Sequence, residues 1–175
     1  TYDSFNNPLT FTDGRGNTTT YTYDTQGRLV LEARPGGVNS SYVWNPDGTL
    51  LSSTDPRGGV TSYTYDGNGN VLSQTTPLGF KTTYTYDTAG RVLTVTEPRG
   101  NVAGATATNF QQKFTYDADG NVLTERDALN RTTTHVYDNA GRRSQTTAPD
   151  GGVTLFGYNA ANELVQQTAP DGGVS

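Results

Sequence analysis

The stretch Tyr84-Thr85-Tyr86-Asp87-Thr88-Ala89-Gly90-Arg91-Val92-Leu93 decides the fold, because close variants of it recur along the whole chain. Its second aromatic residue returns every 21 residues, except for one spacing of 30 residues that ends at Tyr116. The recurring positions are Tyr2, Tyr23, Trp44, Tyr65, Tyr86, Tyr116, Tyr137 and Tyr158. A fixed period of this length indicates a repeat protein.

The residues that follow each aromatic pair predict a β-hairpin. Asp87 and Gly90 stand at the first and fourth positions of a type I turn, and most copies share this pattern. The glycine position is expected to be a left-handed bulge, and its two replacements, Asn6 and Asn162, are the residue type that next best tolerates this backbone. A second turn half a repeat later, such as Asp55-Pro56-Arg57-Gly58, predicts two strands and two turns per repeat.

The hairpin also predicts which side chains face each other across the two strands. Tyr23 should face Leu29, and Tyr21 should face Leu31 on the same side of the sheet. The same interpretation pairs Tyr65 with Val71, Tyr86 with Val92, Tyr116 with Val122 and Tyr158 with Leu164. Because a single hairpin is marginal in water, the hairpins should stack into one long antiparallel sheet that curls or spirals as its strands twist. The expected fold class is therefore all-β, an array of stacked hairpins.

One continuous array over residues 1–175, of about eight units, is the expected domain organisation. The longer spacing before Tyr116 leaves nine extra residues, which predict an enlarged loop at residues 99–113. This loop is either a tolerated insertion or a binding loop on a rigid scaffold. The chain opens inside a repeat, so both ends are expected to be cut from a longer protein.

The composition favours a thin sheet over a thick aliphatic core. Only 31% of the residues are hydrophobic and the mean hydropathy is -0.66, whereas Tyr (11) and Gly (21) are abundant. A net charge of -5 gives no basic surface for nucleic acid or anionic lipid. The chain has no cysteine and no apolar run of membrane length, so it predicts no thiolate metal site and no membrane insertion.

The recurring Tyr-Asp-x-x-Gly-Arg/Asn-Val/Leu strongly resembles the YD repeat, also called the RHS repeat, from Tyr2 to Pro170. The family's frequent Arg before the first aromatic residue is missing, and residues such as Thr83 and Lys113 stand there instead. The residues assigned to the structural repeat motif are Tyr23, Asp24, Gly27, Arg28, Trp44, Gly48, Tyr65, Asp66, Gly69, Tyr86, Asp87, Gly90, Arg91, Tyr116, Asp117, Gly120, Tyr137, Asp138, Gly141 and Tyr158.

The resemblance implies a segment of an encapsulating YD/RHS-repeat β-shell in a large exported or cell-surface protein. Such shells occur in bacterial polymorphic and Tc-type toxins, where they commonly enclose a C-terminal toxic domain, and teneurins carry a similar shell. The implied partners are flanking repeats and the enclosed C-terminal cargo, and the implied location is secreted or cell surface. The family's core signature, Asp-Pro-x-Gly-Leu, is absent here, so neither self-cleavage nor toxin activity is carried over. The expected role is structural and not enzymatic.

Two other classes of function are alternatives to the scaffold. The first is a module that binds carbohydrate or a cell-surface partner by stacking sugars on exposed aromatic rings. The second is a hydrolase built on His135, the single histidine. This residue stands where other repeats have the first aromatic residue of the pair, a series that we call the aromatic ladder, and it has no evident catalytic partner. The serial Asp residues are explained by turn capping. The calcium-like starts at Asp66 and Asp117 lack the Gly and Glu that a calcium loop needs, so no metal and no cofactor are expected.

The two ends of the array predict self-association. A terminal strand exposes unpaired N–H and C=O groups, and such an edge pairs with other chains unless charge or proline blunts it. The first strand region, residues 7–12, has Pro8 but no charge, and the last, residues 163–169, has one acidic residue. End-to-end association through strand pairing is therefore expected.

Overall fold

The computed structural model describes residues 1–174 as an all-β fold, as the sequence predicts. The chain divides into two compact units, residues 1–82 and residues 83–175, and each is described by itself. In both units the strands follow chain order, and neighbouring strands of one unit are antiparallel.

The first unit contains the strands β1 to β7. Their bounds are Thr10–Thr12, Thr18–Tyr23, Leu29–Arg34, Val38–Trp44, Leu50–Thr54, Val60–Tyr65 and Val71–Thr75. Each strand pairs with the next by backbone hydrogen bonds, from β1 with β2 to β6 with β7. A short 3-10 turn, Pro35–Gly37, joins β3 to β4.

The second unit contains the strands β8 to β15, of which β8 begins just before the unit boundary. Their bounds are Lys81–Tyr86, Val92–Thr96, Gln111–Tyr116, Val122–Arg126, Thr132–Tyr137, Arg143–Thr147, Val153–Tyr158 and Leu164–Thr168. Each again pairs with the next, from β8 with β9 to β14 with β15. The hairpin array that the sequence predicts is thus confirmed within each unit.

Burial alternates along the strands because successive side chains point to opposite faces of a sheet. In β6 the residues Thr61, Tyr63 and Tyr65 are half-buried, whereas Val60, Ser62 and Thr64 are exposed. No hydrophobic residue within residues 1–174 is buried; the buried polar or charged residues there are Ser73, Thr96 and His135. Both units are therefore single-layered sheets that gain burial from neighbouring aromatic rings and not from a second layer.

On the face opposite the aromatic rings, pairs of hydroxyl groups join neighbouring strands. Thr85 and Thr94 lie opposite each other, and their Oγ1 atoms are 2.7 Å apart. Thr115 and Thr124 form the same pair at 2.7 Å. Such cross-strand pairs stabilise a sheet and fix its register.

The aromatic–Asp–Gly turns have the predicted geometry. The amide of Gly90 donates to the carbonyl of Asp87 at 3.0 Å, which closes a four-residue turn. Every residue of the predicted left-handed position has positive φ: Asn6 (64), Gly27 (78), Gly48 (91), Gly69 (84), Gly90 (79), Gly120 (91), Gly141 (74) and Asn162 (66). That part of the sequence prediction is confirmed.

The predicted register is only partly right. Tyr23 pairs with Leu29, and the four corresponding pairs at the other repeats are also confirmed. However, Tyr21 pairs with Glu32 and not with Leu31. The strands contain a further bulge between Thr22 and Tyr23, which leaves Val30 as an extra residue and shifts every later pair by one.

The loop before Tyr116 is shorter than predicted and is ordered by its own contacts. It forms two 3-10 turns, Pro98–Asn101 and Ala107–Phe110, and β10 already begins at Gln111 because residues 111–113 pair with β9. Gly100 here does not have positive φ, unlike the glycines of the other Pro turns such as Gly58. It is needed for space, since a Cβ would lie 2.7 Å from Cγ2 of Thr96 and 3.0 Å from Cβ of Phe110.

Candidate functional site

The Asp of each aromatic–Asp–Gly turn caps the turn that it starts. Oδ1 of Asp87 accepts the backbone N–H groups of Ala89 and Arg91, both at 2.9 Å. Its Oδ2 accepts the Nε–H of Arg91 at 2.6 Å. The bond from the Arg91 backbone, more than any other favourable contact, lowers the pKa of the Asp87 carboxyl, because it stabilises the charged form.

The same cap recurs at the other Asp residues of the predicted motif. Asp24, Asp66, Asp117 and Asp138 each accept two backbone N–H groups on Oδ1. The pKa of each is lowered, chiefly by the backbone of Arg28 for Asp24 and by the side chains of Asn70, Asn121 and Arg142 for the others. Their oxygens are therefore occupied by the turns themselves, which is a structural use of the carboxylates.

The second aromatic residue of a repeat bonds to the repeat before it. The hydroxyl of Tyr116 donates to the carbonyl of Val92 at 2.8 Å. The pairing of β9 with β10 runs only from Thr96 to Thr94, so the side chain reaches a carbonyl that lies beyond the paired segment. The same bond joins Tyr23 to Pro8 (3.0 Å), Trp44 Nε1 to Leu29 (2.8 Å), Tyr65 to Leu50 (2.8 Å), Tyr137 to Val122 (3.0 Å) and Tyr158 to Arg143 (3.0 Å). These side-chain hydrogen bonds link neighbouring strands beyond the point where backbone pairing ends.

The Arg after the left-handed glycine bonds to the repeat that follows it, whereas the second aromatic residue bonds to the repeat before it. While its Nε holds Asp87, the NH1 of Arg91 donates to the carbonyl of Asp117 in the following aromatic turn at 2.9 Å. Its guanidinium also lies over the ring of Tyr116, 4.7 Å from the ring centre. We call a pair of neighbouring repeats joined in this way an arginine junction. One side chain there caps a turn, bonds the next turn and stacks on an aromatic ring.

Two further arginine junctions are present. Arg28 donates to the carbonyl of Asn45 at 2.8 Å and lies 5.7 Å from the ring centre of Trp44. Arg142 donates to the carbonyl of Asn159 at 3.3 Å and to Oδ1 of Asn162 at 2.8 Å. Its guanidinium is 4.7 Å from the ring centre of Tyr158.

Where the sequence has Asn in place of Arg, the contact stays local. Asn121 donates its amide to Oδ2 of Asp117 in its own turn at 2.9 Å. Tyr137 of the next repeat still bonds the carbonyl of Val122. We call this pair of repeats, linked by β11 and β12, the asparagine junction.

The single histidine occupies the aromatic ladder, as predicted. His135 is 7% exposed, and its Nδ1 lies 3.0 Å from the hydroxyl of Thr146 on the paired strand. Its Nε2 has no hydrogen-bond partner among the described residues, and Oε1 of Glu125 is 3.7 Å away. Neither neighbour completes a nucleophile–base–acid arrangement. The contacts of His135 are those of a ring packed into a sheet.

Within residues 1–174, no group of three or more His, Cys, Asp or Glu side chains could hold a metal ion. The surface depressions are open grooves, and one of them is lined by turn residues such as Asp117, Asp119, Asp138 and the nearby His135. Among the same residues, no helix is both long and apolar enough to cross a membrane.

The structure places the predicted motif residues in two recurring positions. The Asp and Gly residues form turns at one end of each hairpin, and the aromatic residues lie half-buried on one face of the sheet; Tyr86 lies in β8, opposite Val92. What sequence reasoning missed is the reach of Arg28, Arg91 and Arg142 into the following repeat. The available signal was the choice between Arg and Asn after the left-handed position.

These features define a class: a repeat protein whose hairpins are coupled to their neighbours by side-chain bonds. The sequence profile of the RHS repeat matches residues 2–38, 44–79, 65–102, 116–153 and 144–174. The chain belongs to the RHS repeat family, as the resemblance indicated. A search of curated proteins finds no significant match.

Several solved structures that contain TccC3 have a similar fold. The crystal structure of TcdB2-TccC3-Cdc42 is 18% identical with a TM-score of 0.61, over 94% of this chain and 11% of that one. TcdB2-TccC3-TEV is 18% identical with a TM-score of 0.60, over 97% and 12%. The Photorhabdus luminescens Tc holotoxin pore carrying TccC3-D651A is 18% identical with a TM-score of 0.59, over 95% and 11%. This chain therefore spans only a small part of the length of the proteins that it matches.

Proposed function

We propose that this chain is a segment of an encapsulating shell of RHS repeats within a large exported or cell-surface protein. Its partners are flanking repeats of the same polypeptide and an enclosed C-terminal toxin domain. Its role is structural and not enzymatic. The family and the fold shared with TcdB2-TccC3 support this proposal.

The observation that carries the proposal is the bond from an aromatic hydroxyl or indole to the preceding repeat, which recurs at Tyr23, Trp44, Tyr65, Tyr116, Tyr137 and Tyr158. The carbonyls of Val92 and Val122 accept the hydroxyls of Tyr116 and Tyr137 from the repeat that follows. A repeat built in this way is completed by its neighbours, and many such repeats form an extended wall. Long walls of one layer suit enclosure better than they suit a compact catalytic core.

Protease protection of the C-terminal region in the full-length parent protein tests the proposal. We expect that region to resist cleavage in the native protein and to become cleavable when the wall is weakened by the double change Arg91→Asn and Tyr116→Ala. Arg131→Asn, in an exposed turn, is the matched control and should leave protection unchanged. A C-terminal region that is cleaved at the same rate in all three proteins would contradict enclosure.

The alternative function, binding of carbohydrate or a cell-surface partner through exposed aromatic rings, has weaker support. The rings of Tyr65, Tyr116 and Tyr137 are half-buried and bonded to neighbouring repeats. Stacking on sugars needs an open ring face. Binding of the chain to a glycan array, lost on Tyr116→Ala and Tyr137→Ala, would favour this alternative.

A further inference from the structure

A groove of the second unit lies at the asparagine junction. It measures about 490 Å³ and is lined by residues of two successive turns, which begin at Asp117 and Asp138. The side chain between these turns is that of Asn121, whose amide bonds Asp117 in its own turn. The groove is therefore found where the sequence has a short side chain after the left-handed glycine.

The groove presents the same groups that bind a guanidinium at an arginine junction. Arg91 covers the ring of Tyr116 and donates to the carbonyl of Asp117. The corresponding residues of the next repeat, Tyr137 and Asp138, both line the groove. The carbonyl of Asp138 accepts one turn amide, as that of Asp117 does, and has a second lone pair for another donor.

There is also space for a guanidinium beside the turn glycine. NH1 of Arg91 lies 3.8 Å from the point where a Cβ on Gly120 would stand. On Gly141, which has the same place in the next turn and lines the groove, no heavy atom lies within 4 Å of that point. A guanidinium that comes from outside the array can therefore approach Gly141 while Asn121 keeps its bond to Asp117.

An exposed carboxylate at the groove supplies the negative charge. Asp119, the third residue of its turn, lines the groove, whereas the turns before Arg91 and Arg142 have alanine at that position. In an arginine junction the guanidinium pairs with the Asp that caps its own turn. Here Oδ2 of Asp117 already accepts the amide of Asn121, so Asp119 is the carboxylate that can pair with a guanidinium from outside.

We propose that this groove binds an arginine side chain of a polypeptide segment outside the array. The guanidinium stacks on the ring of Tyr137, donates to the carbonyl of Asp138 and pairs with Asp119. The hydroxyl of Tyr137 keeps its bond to the carbonyl of Val122, so binding does not disturb the link between repeats. A planar guanidinium can cover a ring and donate hydrogen bonds in its own plane, which an ammonium cannot do. The inference does not depend on whether the array encloses a domain.

Titration of the chain with the peptide acetyl-Gly-Arg-Gly-amide, followed by the backbone amide resonances, tests the proposal. We expect saturable shifts at Tyr137, Asp138 and Gly141, and none at Tyr116 and Gly120, where Arg91 already supplies the guanidinium. The same peptide with lysine should bind more weakly, and with citrulline, which has no charge, it should not bind. Free arginine should also bind more weakly than the peptide, because its α-carboxylate is repelled by Asp119.

Two variants locate the binding. Asn121→Arg places a guanidinium in the groove from within the chain, so it should abolish binding of the arginine peptide. Asn17→Arg adds the same charge at a turn of the first unit and should leave the binding unchanged. Asp119→Asn should weaken binding by about fivefold, because it removes one exposed ion pair. Asp150→Asn, which makes the same charge change in another exposed turn, should have no effect.

Several results would overturn the proposal. Binding that survives Asn121→Arg, or the absence of saturable shifts at Tyr137 and Gly141, would show that the groove is not the site. Equal binding of the lysine and arginine peptides, or equal losses from Asn17→Arg and Asn121→Arg, would show that net charge and not a guanidinium position is responsible. Free arginine that binds as tightly as the peptide would overturn the assignment to a polypeptide.

Discussion

The arginine junction of Arg91 and the asparagine junction of Asn121 lie in the same unit, and at each of them three residue pairs join the strands of neighbouring repeats. In both, an Asp caps the turn, a glycine has positive φ, and a tyrosine hydroxyl bonds a carbonyl of the preceding repeat at 2.8 or 3.0 Å. The junctions differ in the connection between their paired strands, which is the loop of residues 97–110 at the first and the turn of residues 127–131 at the second. They also differ in the residue that follows the left-handed glycine. Arg91 continues to the carbonyl of Asp117 and the ring of Tyr116, whereas Asn121 ends at its own turn.

This difference separates what builds the array from what strengthens it. The turn and the tyrosine bond are present at both junctions, so they are sufficient to join neighbouring repeats in register. The arginine adds a side-chain contact that crosses from one repeat to the next. Side-chain length explains the choice, because a guanidinium reaches the next turn while it still binds Asp through Nε, and an amide does not.

Acid should remove the Asp caps that both junctions share, and this is the largest expected effect on stability. Asp87 and Asp117 have lowered pKa values in the folded chain, so the folded state binds protons less readily than the unfolded state. Their contribution to stability is present above the unfolded pKa of about 3.9 and is lost as the pH falls through the lower folded values. The urea midpoint should be level from pH 7 to about 5 and fall below about 4. A midpoint that holds or rises at pH 3 would show that the caps do not stabilise the turns.

Removing the tyrosine should weaken both junctions, and the arginine junction more. We expect Tyr116→Ala to cost about 3 kcal/mol of unfolding free energy and Tyr137→Ala about 2 kcal/mol, because the first also leaves Arg91 without its ring. Urea denaturation followed by circular dichroism measures both. Equal losses would mean that the stacked guanidinium contributes nothing.

The parts of the fold that depend on local chemistry could be predicted from the sequence. The period placed the hairpins, and Asn6 and Asn162 revealed the left-handed position because few other residues tolerate it. The pairing of Tyr21 with Leu31 was wrong because the extra residue, Val30, resembles any other aliphatic residue of an alternating strand. Nothing in its side chain marks a bulge.

The arginine contacts depend on register between repeats, and sequence spacing alone did not reveal them. Arg28 bonds a carbonyl 17 residues later, whereas Arg91 bonds one 26 residues later because the loop lies between. The two Arg residues therefore bond to the same position of the following turn at different sequence spacings. Gly100 closes a turn with Glu97, but close packing against Thr96, and not positive φ, explains why this residue is glycine.

Replacing Arg91 with Asn, the residue that stands at the same position in the asparagine junction, should convert the arginine junction into an asparagine junction. Arg91→Asn keeps the bond to Asp87 and removes the bond to Asp117 and the stacking, at a cost of about 1 kcal/mol. Arg131→Asn is the matched control, because Arg131 binds Asp127 within one turn in the same way. The control should cost less than about 0.5 kcal/mol in urea denaturation. If the two variants lose the same stability, the effect belongs to the turn and not to the junction.

The smallest effect should come from the reverse exchange, Asn121→Arg, which is expected to stabilise the chain by about 0.5 kcal/mol. Asp117 can accept the new Nε as Asp87 accepts that of Arg91, and the guanidinium then reaches the carbonyl of Asp138 and the ring of Tyr137. The gain is smaller than the loss at Arg91 because ordering a long side chain costs entropy, and the amide bond of Asn121 is given up.

Two companion variants decide whether such a gain comes from the junction. Asn17→Arg adds the same charge at a turn where Asn17 also binds its own Asp13, and it should not stabilise the chain. In a double-mutant cycle, Tyr137→Ala should abolish the gain from Asn121→Arg, because the ring that the guanidinium covers is then absent. A gain that persists without Tyr137, or that Asn17→Arg reproduces, would assign the stabilisation to net charge and would remove the distinction between the two kinds of junction.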